Sequence, residues 1–154
     1  MDFYLWLKVV HVLGAAVLFG TGAGIAFFMW MAHLGGDVAV IHATARLVVI
    51  ADFLFTLPAV VAQPLTGAWL VIEGGYAWSE AWLIWALALY VVIGACWIPV
   101  VFLQIRARDL AAAALRSGSA LPWDYHRAMR LWFALGWPAF AAVIAIFVLM
   151  IFKP

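Results

Sequence analysis

Charge is scarce in this sequence. Eight Lys and Arg and seven Asp and Glu make up 10% of its 154 residues, where a water-soluble domain carries about a quarter. The net charge of +1 leaves no basic face to hold phosphates, which argues against a nucleic-acid partner. Cysteine is nearly absent too: the single Cys96 cannot close an internal disulfide. The sequence contains no HExxH, CxxC, Walker loop or GxSxG, so it offers none of the familiar soluble-enzyme constellations. Nor does it show the apolar–polar alternation of a membrane barrel.

What it has instead is hydrocarbon. Hydrophobic residues make up 70% of the chain, with a mean hydropathy of +1.16. They fall into four runs, Tyr4–Met31, Leu47–Ile72, Ala81–Leu103 and Leu131–Phe152. Each reaches the roughly 20 residues that a helix needs to cross a bilayer. A helix also satisfies its own backbone where no water is present. The expected fold is therefore all-α: a single transmembrane domain over residues 1–154, an integral membrane four-helix bundle. The first run starts at "MDFYLW" without a basic n-region and is too long for a signal peptide.

The expected connections are Ala32–Arg46, the acidic turn Glu73–Glu80, and Gln104–Arg130, which contains the helix-prone "RDLAAAALR". The first and third carry Arg46, Arg106, Arg108, Arg116, Arg127 and Arg130. The positive-inside rule puts those loops in the cytoplasm and both termini on the outer, periplasmic side of a bacterial inner membrane. Among the ten tryptophans, Trp6, Trp78 and Trp82 are expected at the outer interface, and Trp123 and Trp132 at the inner.

Ionisable or polar groups within apolar runs are the candidate sites. His11 sits about two turns into the first run, with Lys8 three residues before it and nearly on the same face. Lys8 reads as an interface anchor that snorkels outward. His11 reads either as a structural histidine bonded across the bundle or as an axial ligand of a porphyrin iron. Gly20 and Gly24 have the small-xxx-small spacing of close helix packing; the alternative is a bare surface for a flat macrocycle. The second run holds Asp52, Thr56, Gln63 and Thr66, with Pro58 and Pro64 between them. Asp52 is expected to pair with Arg46, Arg127 or Arg130 at the inner rim. Gln63, at mid-depth, needs a partner on another helix, on a proline-freed carbonyl or on a ligand. His33, His42 and His126 fall at the cytoplasmic edge and read as interfacial residues.

Several segments resemble a known family. "WLKVVHVLGAAVLFG", the spacing of Pro58, Gly67 and Trp69, "AWLIWALAL", and the final helix down to its terminal Lys-Pro resemble the HemJ-type protoporphyrinogen oxidases. That resemblance implies heme b on His11, with Lys8 as the neighbouring lysine. The family's arginine eight residues before the proline falls on Ile50, with Arg46 one turn earlier. Its lysine in the third segment falls on Ala86. The chain looks more like a related, uncharacterised family of small integral membrane proteins.

The sequence thus supports a membrane heme-b protein with an oxidoreductase or electron-transfer role. Met150, on the last helix, is a candidate second ligand, and a membrane redox partner or a second copy of the chain a candidate associate. The alternative is a non-enzymatic accessory or assembly subunit of a larger membrane complex. A transporter with Asp52 and Gln63 as polar stations ranks last.

Overall fold

The backbone of the computed structural model is described for residues 2–154, and no strand occurs among them. Helix α1 spans Asp2–Gly35. The Gly35-Gly36 pair ends it, and Asp37 at once caps α2 (Val38–Ala51) by accepting from the amides of Ala39 at 2.8 Å and Val40 at 3.2 Å. A short aspartate side chain thereby satisfies two orphan donors of the new helix. The first connection is therefore two residues rather than the stretch Ala32–Arg46.

Between Ala51 and Leu57 the helix widens into one π-type turn, Asp52–Thr56, before α3 continues over Leu57–Glu73. Pro58 accounts for it. Proline has no N–H to donate, and its ring would collide with the carbonyl one turn back. The wider turn absorbs that defect, with the Leu57 amide donating to the Asp52 carbonyl. Helix α3 closes in a Schellman pair: Tyr76 N–H to Val71 at 3.0 Å and Gly75 N–H to Ile72 at 3.2 Å, with Gly75 at φ 67°. Only glycine enters that left-handed conformation at no steric cost.

Helix α4 runs Ala81–Ser117 and α5 runs Trp123–Phe152. At 37 residues, α4 is about 55 Å long by its rise per residue, well beyond the roughly 30 Å of hydrocarbon. Its last turns, which include "RDLAAAALR", stand outside the apolar run as continued helix. Four spans, 3–35, 38–73, 81–117 and 123–152, are long and apolar enough to cross a membrane.

The four spans pack as two pairs. Helix α1 lies on α3 and α2, and α4 lies on α5 and α2. At the end that holds the α1–α2 and α4–α5 connections, a core of Met29, Ile41, Val48, Tyr125, Met129 and Trp132 is completed by the alanines Ala45, Ala107 and Ala111. A smaller core at the opposite end, which holds the termini, joins Val71, Trp82 and Leu83, with Tyr76, Leu149 and Met150 against it. Lipid is as apolar as leucine, so between spans the binding forces are close packing and hydrogen bonds rather than expulsion of water.

Two sequence expectations are corrected here. Trp82 and Trp132 are core residues, each 5% exposed, while Trp6, Trp78 and Trp123 are exposed. A Cβ added to Gly20 or Gly24 would meet nothing within 4 Å, so these glycines do not serve close packing within this chain.

Candidate functional site

Helix α3 presents Gln63, Thr66 and Gly67 to α1 at the level of His11. The Thr66 hydroxyl donates to the carbonyl of Ala62, one turn back on its own helix, at 2.7 Å. Its single proton is then committed. Nδ1 of His11, 2.8 Å from Thr66 Oγ1, is therefore the donor in that pair. This assigns the Nδ1–H tautomer and leaves Nε2 as the basic nitrogen. Nε2 has no hydrogen-bond partner among the described residues.

Two glycines make room for this arrangement. A Cβ on Gly67 would lie 3.2 Å from Cε1 of the imidazole. One on Gly14 would run into the amide nitrogen of Gln63. That nitrogen donates to the carbonyl of His11 at 2.8 Å. His11 is thus held from α3 at both its ring and its backbone. Gln63 finds its partner on another helix, one of the three kinds of partner its position required.

A second polar network lies deeper. Asp52 is 4% exposed. One carboxylate oxygen accepts from Gln104 Nε2 and the other from Trp97 Nε1 at 3.4 Å. Gln104, fully buried, accepts from Trp132 Nε1 at 3.3 Å through its own Oε1. The expected pairing of Asp52 with Arg46, Arg127 or Arg130 is not made. The ion pairs among the described residues are Arg106–Asp124 and Arg108–Asp109, each at 2.8 Å. Arg127 and Arg130 instead lie over the Trp123 ring, at 5.7 and 5.9 Å from its centroid. Arg46 is exposed. The reason is reach: Asp52 faces inward from the widened turn, where the Gln104 amide and the Trp97 indole supply donors without bringing a second charge into the hydrocarbon.

Lys8 is exposed near the N-terminal end of α1. Met150 packs with Val71, Trp82 and Leu83, whereas the hydrogen-bond partners of His11 are on α3. At the end that holds the α1–α2 connection, His33 Nδ1 is 3.2 Å from the Tyr125 hydroxyl, and its ring lies 5.8 Å from that of His126. His42 Nδ1 is buried without a partner. Among the described residues no group of three or more His, Cys, Asp or Glu is placed to hold a metal ion.

Sequence reasoning missed Tyr90, Trp97, Gln104 and Trp132 as polar partners. Gln104 fell just past the third apolar run and read as the start of a loop. Trp132 read as an interface belt, and Trp97 carried no expectation. The Tyr90 hydroxyl donates to the carbonyl of Val60, and the signal for that was Pro64, four residues after Val60.

The fold and these networks define a four-span integral membrane protein, multi-pass and all-helical. The chain belongs to the family described as "Predicted integral membrane protein (DUF2269)", whose sequence model matches residues 5–154. No curated protein and no solved structure matches it.

Proposed function

We propose that this protein binds a b-type heme through Nε2 of His11 and serves in electron transfer or oxidoreduction. The observation that carries the reading is the bond between His11 Nδ1 and Thr66 at 2.8 Å. A histidine that ligates a metal commonly donates its other ring N–H to an oxygen, which fixes both tautomer and orientation. Here the donor set fits: an imidazole within the membrane, fixed at Nδ1, with the lone pair of Nε2 free of any described partner. Gly67 gives the ring its seat. Lys8, one turn nearer the surface and exposed, is the cation on offer to a propionate. A heme iron would bring one-electron or oxygen chemistry to such a site. The resemblance of the first helix to the HemJ-type oxidases supports heme; Ile50 and Ala86, where that family carries its arginine and lysine, weigh against the same reaction.

The proposal includes an orientation. The arginine-bearing ends of the helices lie in the cytoplasm of a bacterial inner membrane, with both termini outside, because the basic residues cluster at the end that holds the α1–α2 and α4–α5 connections.

The test is the dithionite-reduced minus oxidised spectrum of protein expressed with ample heme, beside His11→Ala. A Soret and α-band pair lost with the substitution is the expected result. A stoichiometric spectrum unchanged by it would move the ligand to the inner-edge histidines. A folded protein without a Soret band would overturn the reading in favour of an accessory subunit.

A further inference from the structure

The four spans leave a cavity of about 410 Å³, a size that suits a small-molecule site. His11 is not in its wall, so this space is distinct from the imidazole site and the inference does not rest on the heme reading. Small residues of α1, among them Gly22 and Ala23, form one side; Phe140 and Phe147 of α5 form another. Exposed Trp137 and Phe19 also line it and mark where it meets lipid.

No Lys, Arg or His lines this cavity. Its ionisable wall groups are Asp52 and Tyr90, and both are already hydrogen-bonded within the protein. An anionic occupant would find no counter-charge, and a cation would have to displace the donors on Asp52. The occupant is therefore neutral.

One wall group is left over. Thr56 is 6% exposed and belongs to the cavity wall; its Oγ1 is buried with no hydrogen-bond partner, and the second χ1 well open to a helical threonine is the one through which the hydroxyl would reach an occupant. A helical threonine ordinarily gives its proton to the carbonyl four residues back. Here that carbonyl belongs to Asp52 and accepts the Leu57 amide of the widened turn. Buried hydroxyls are seldom left unpaired, and an orphaned donor calls for an explanation. A hydrocarbon chain in the cavity would leave Thr56 as it is; an acceptor oxygen would satisfy it. Gln63 lies in the same wall, two turns along α3. Its nitrogen is committed to His11, and its carbonyl oxygen has no partner among the described residues.

We infer that this cavity is a binding site for a neutral, membrane-dissolved molecule with an apolar aromatic body and a carbonyl oxygen that accepts from Thr56. The ligand would enter from the bilayer, and the aromatic walls would hold its body.

The test is calorimetric titration of the full chain in nanodiscs with 1,4-naphthoquinone and with naphthalene, blanked against empty discs. The expected result is saturable binding, with the naphthoquinone at least about 5-fold tighter. Thr56→Val should cut naphthoquinone affinity about 5- to 10-fold, the weight of one net hydrogen bond, and leave naphthalene unchanged. A Cβ on Gly22 meets nothing within 4 Å, so Gly22→Phe can point into the cavity; it should abolish binding of both probes while circular dichroism stays helical. Equal affinity for the two probes, an unaltered Thr56→Val, or no saturable binding would each overturn the inference. If Thr56→Val does not fold, the probe comparison in the native protein and Gly22→Phe still decide it.

Discussion

The hydroxyl of Tyr90, on α4, donates to the carbonyl of Val60, on α3, and that carbonyl is the one that Pro64 leaves without its helical donor. The proline and the tyrosine thus form one device. A helix defect creates an acceptor in the membrane, and the facing helix fills it.

The device predicts a coupling. Tyr90→Phe alone should destabilise the bundle by about 1 kcal/mol, as expected for an interhelical hydrogen bond in lipid. Pro64→Ala restores the missing N–H, so in that background Tyr90→Phe should cost close to nothing. A double-mutant cycle by detergent-denaturant unfolding measures the difference. Equal costs in both backgrounds would show that Val60 does not depend on Tyr90.

Gly14→Ala sets two effects against each other. Alanine gains about 1 kcal/mol of helix propensity over glycine. Its Cβ meets the Gln63 amide, which must withdraw from the His11 carbonyl. The lost bond, plus a buried amide without a partner, costs about 1–3 kcal/mol. The expected net result is destabilisation by about 1 kcal/mol, with Gly14→Ala gaining rather than losing stability once Gln63→Leu has removed the amide. Unfolding of the two single variants and the double variant checks the sign.

Much of this fold was legible in the sequence because bilayer thickness sets a length that composition alone reveals; the four apolar runs fall within the four spans. The helix ends were not, since "RDLAAAALR" is helical by propensity and by its alanine packing rather than by hydropathy. The site was legible in part. His11, Gln63 and Thr66 stood out as polar residues in apolar runs, but nothing in their spacing said that they face one another. The partner of Asp52 was hidden for a physical reason. An acid near arginines suggests an ion pair, and only the widened turn at Pro58 shows that it faces the interior. Trp82 and Trp132 mislead because an indole at the edge of an apolar run has the same composition whether it faces lipid or core.

The Asp52 network predicts an order of costs. Asp52→Asn keeps one acceptor oxygen, enough for Gln104, and presents an amide to the longer contact with Trp97; it should cost about 1 kcal/mol. Gln104→Leu strips the carboxylate of its closer donor and orphans the Trp132 indole N–H as well. It should cost about 3 kcal/mol, because the groups left behind are buried and one is a carboxyl. Unfolding midpoints of the two variants give the order. A Gln104→Leu protein as stable as Asp52→Asn would mean that Asp52 and Trp132 find other partners.

At the end of the bundle that holds the termini, Lys153 Nζ donates to the Tyr76 hydroxyl at 2.5 Å and lies 4.1 Å from the centre of its ring. That bond, then the lysine charge, with a smaller contribution from the charge of Lys8, holds the Tyr76 phenol below its ordinary value of 10.0. The sign of the linkage follows. Between the lowered value and 10.0 the unfolded chain keeps the phenol proton that the folded chain has released, so stability rises with pH across that window. The contribution is fully present above the unfolded value, as long as Lys153 stays charged, and fades as pH falls through the folded one. Phenolate difference absorbance, with Tyr76→Phe to identify the group, should show Tyr76 titrating below 10.0. Lys153→Met should move it back up toward 10.0. A Tyr76 titration unmoved by Lys153→Met would mean that the ammonium is held by water rather than by the phenol.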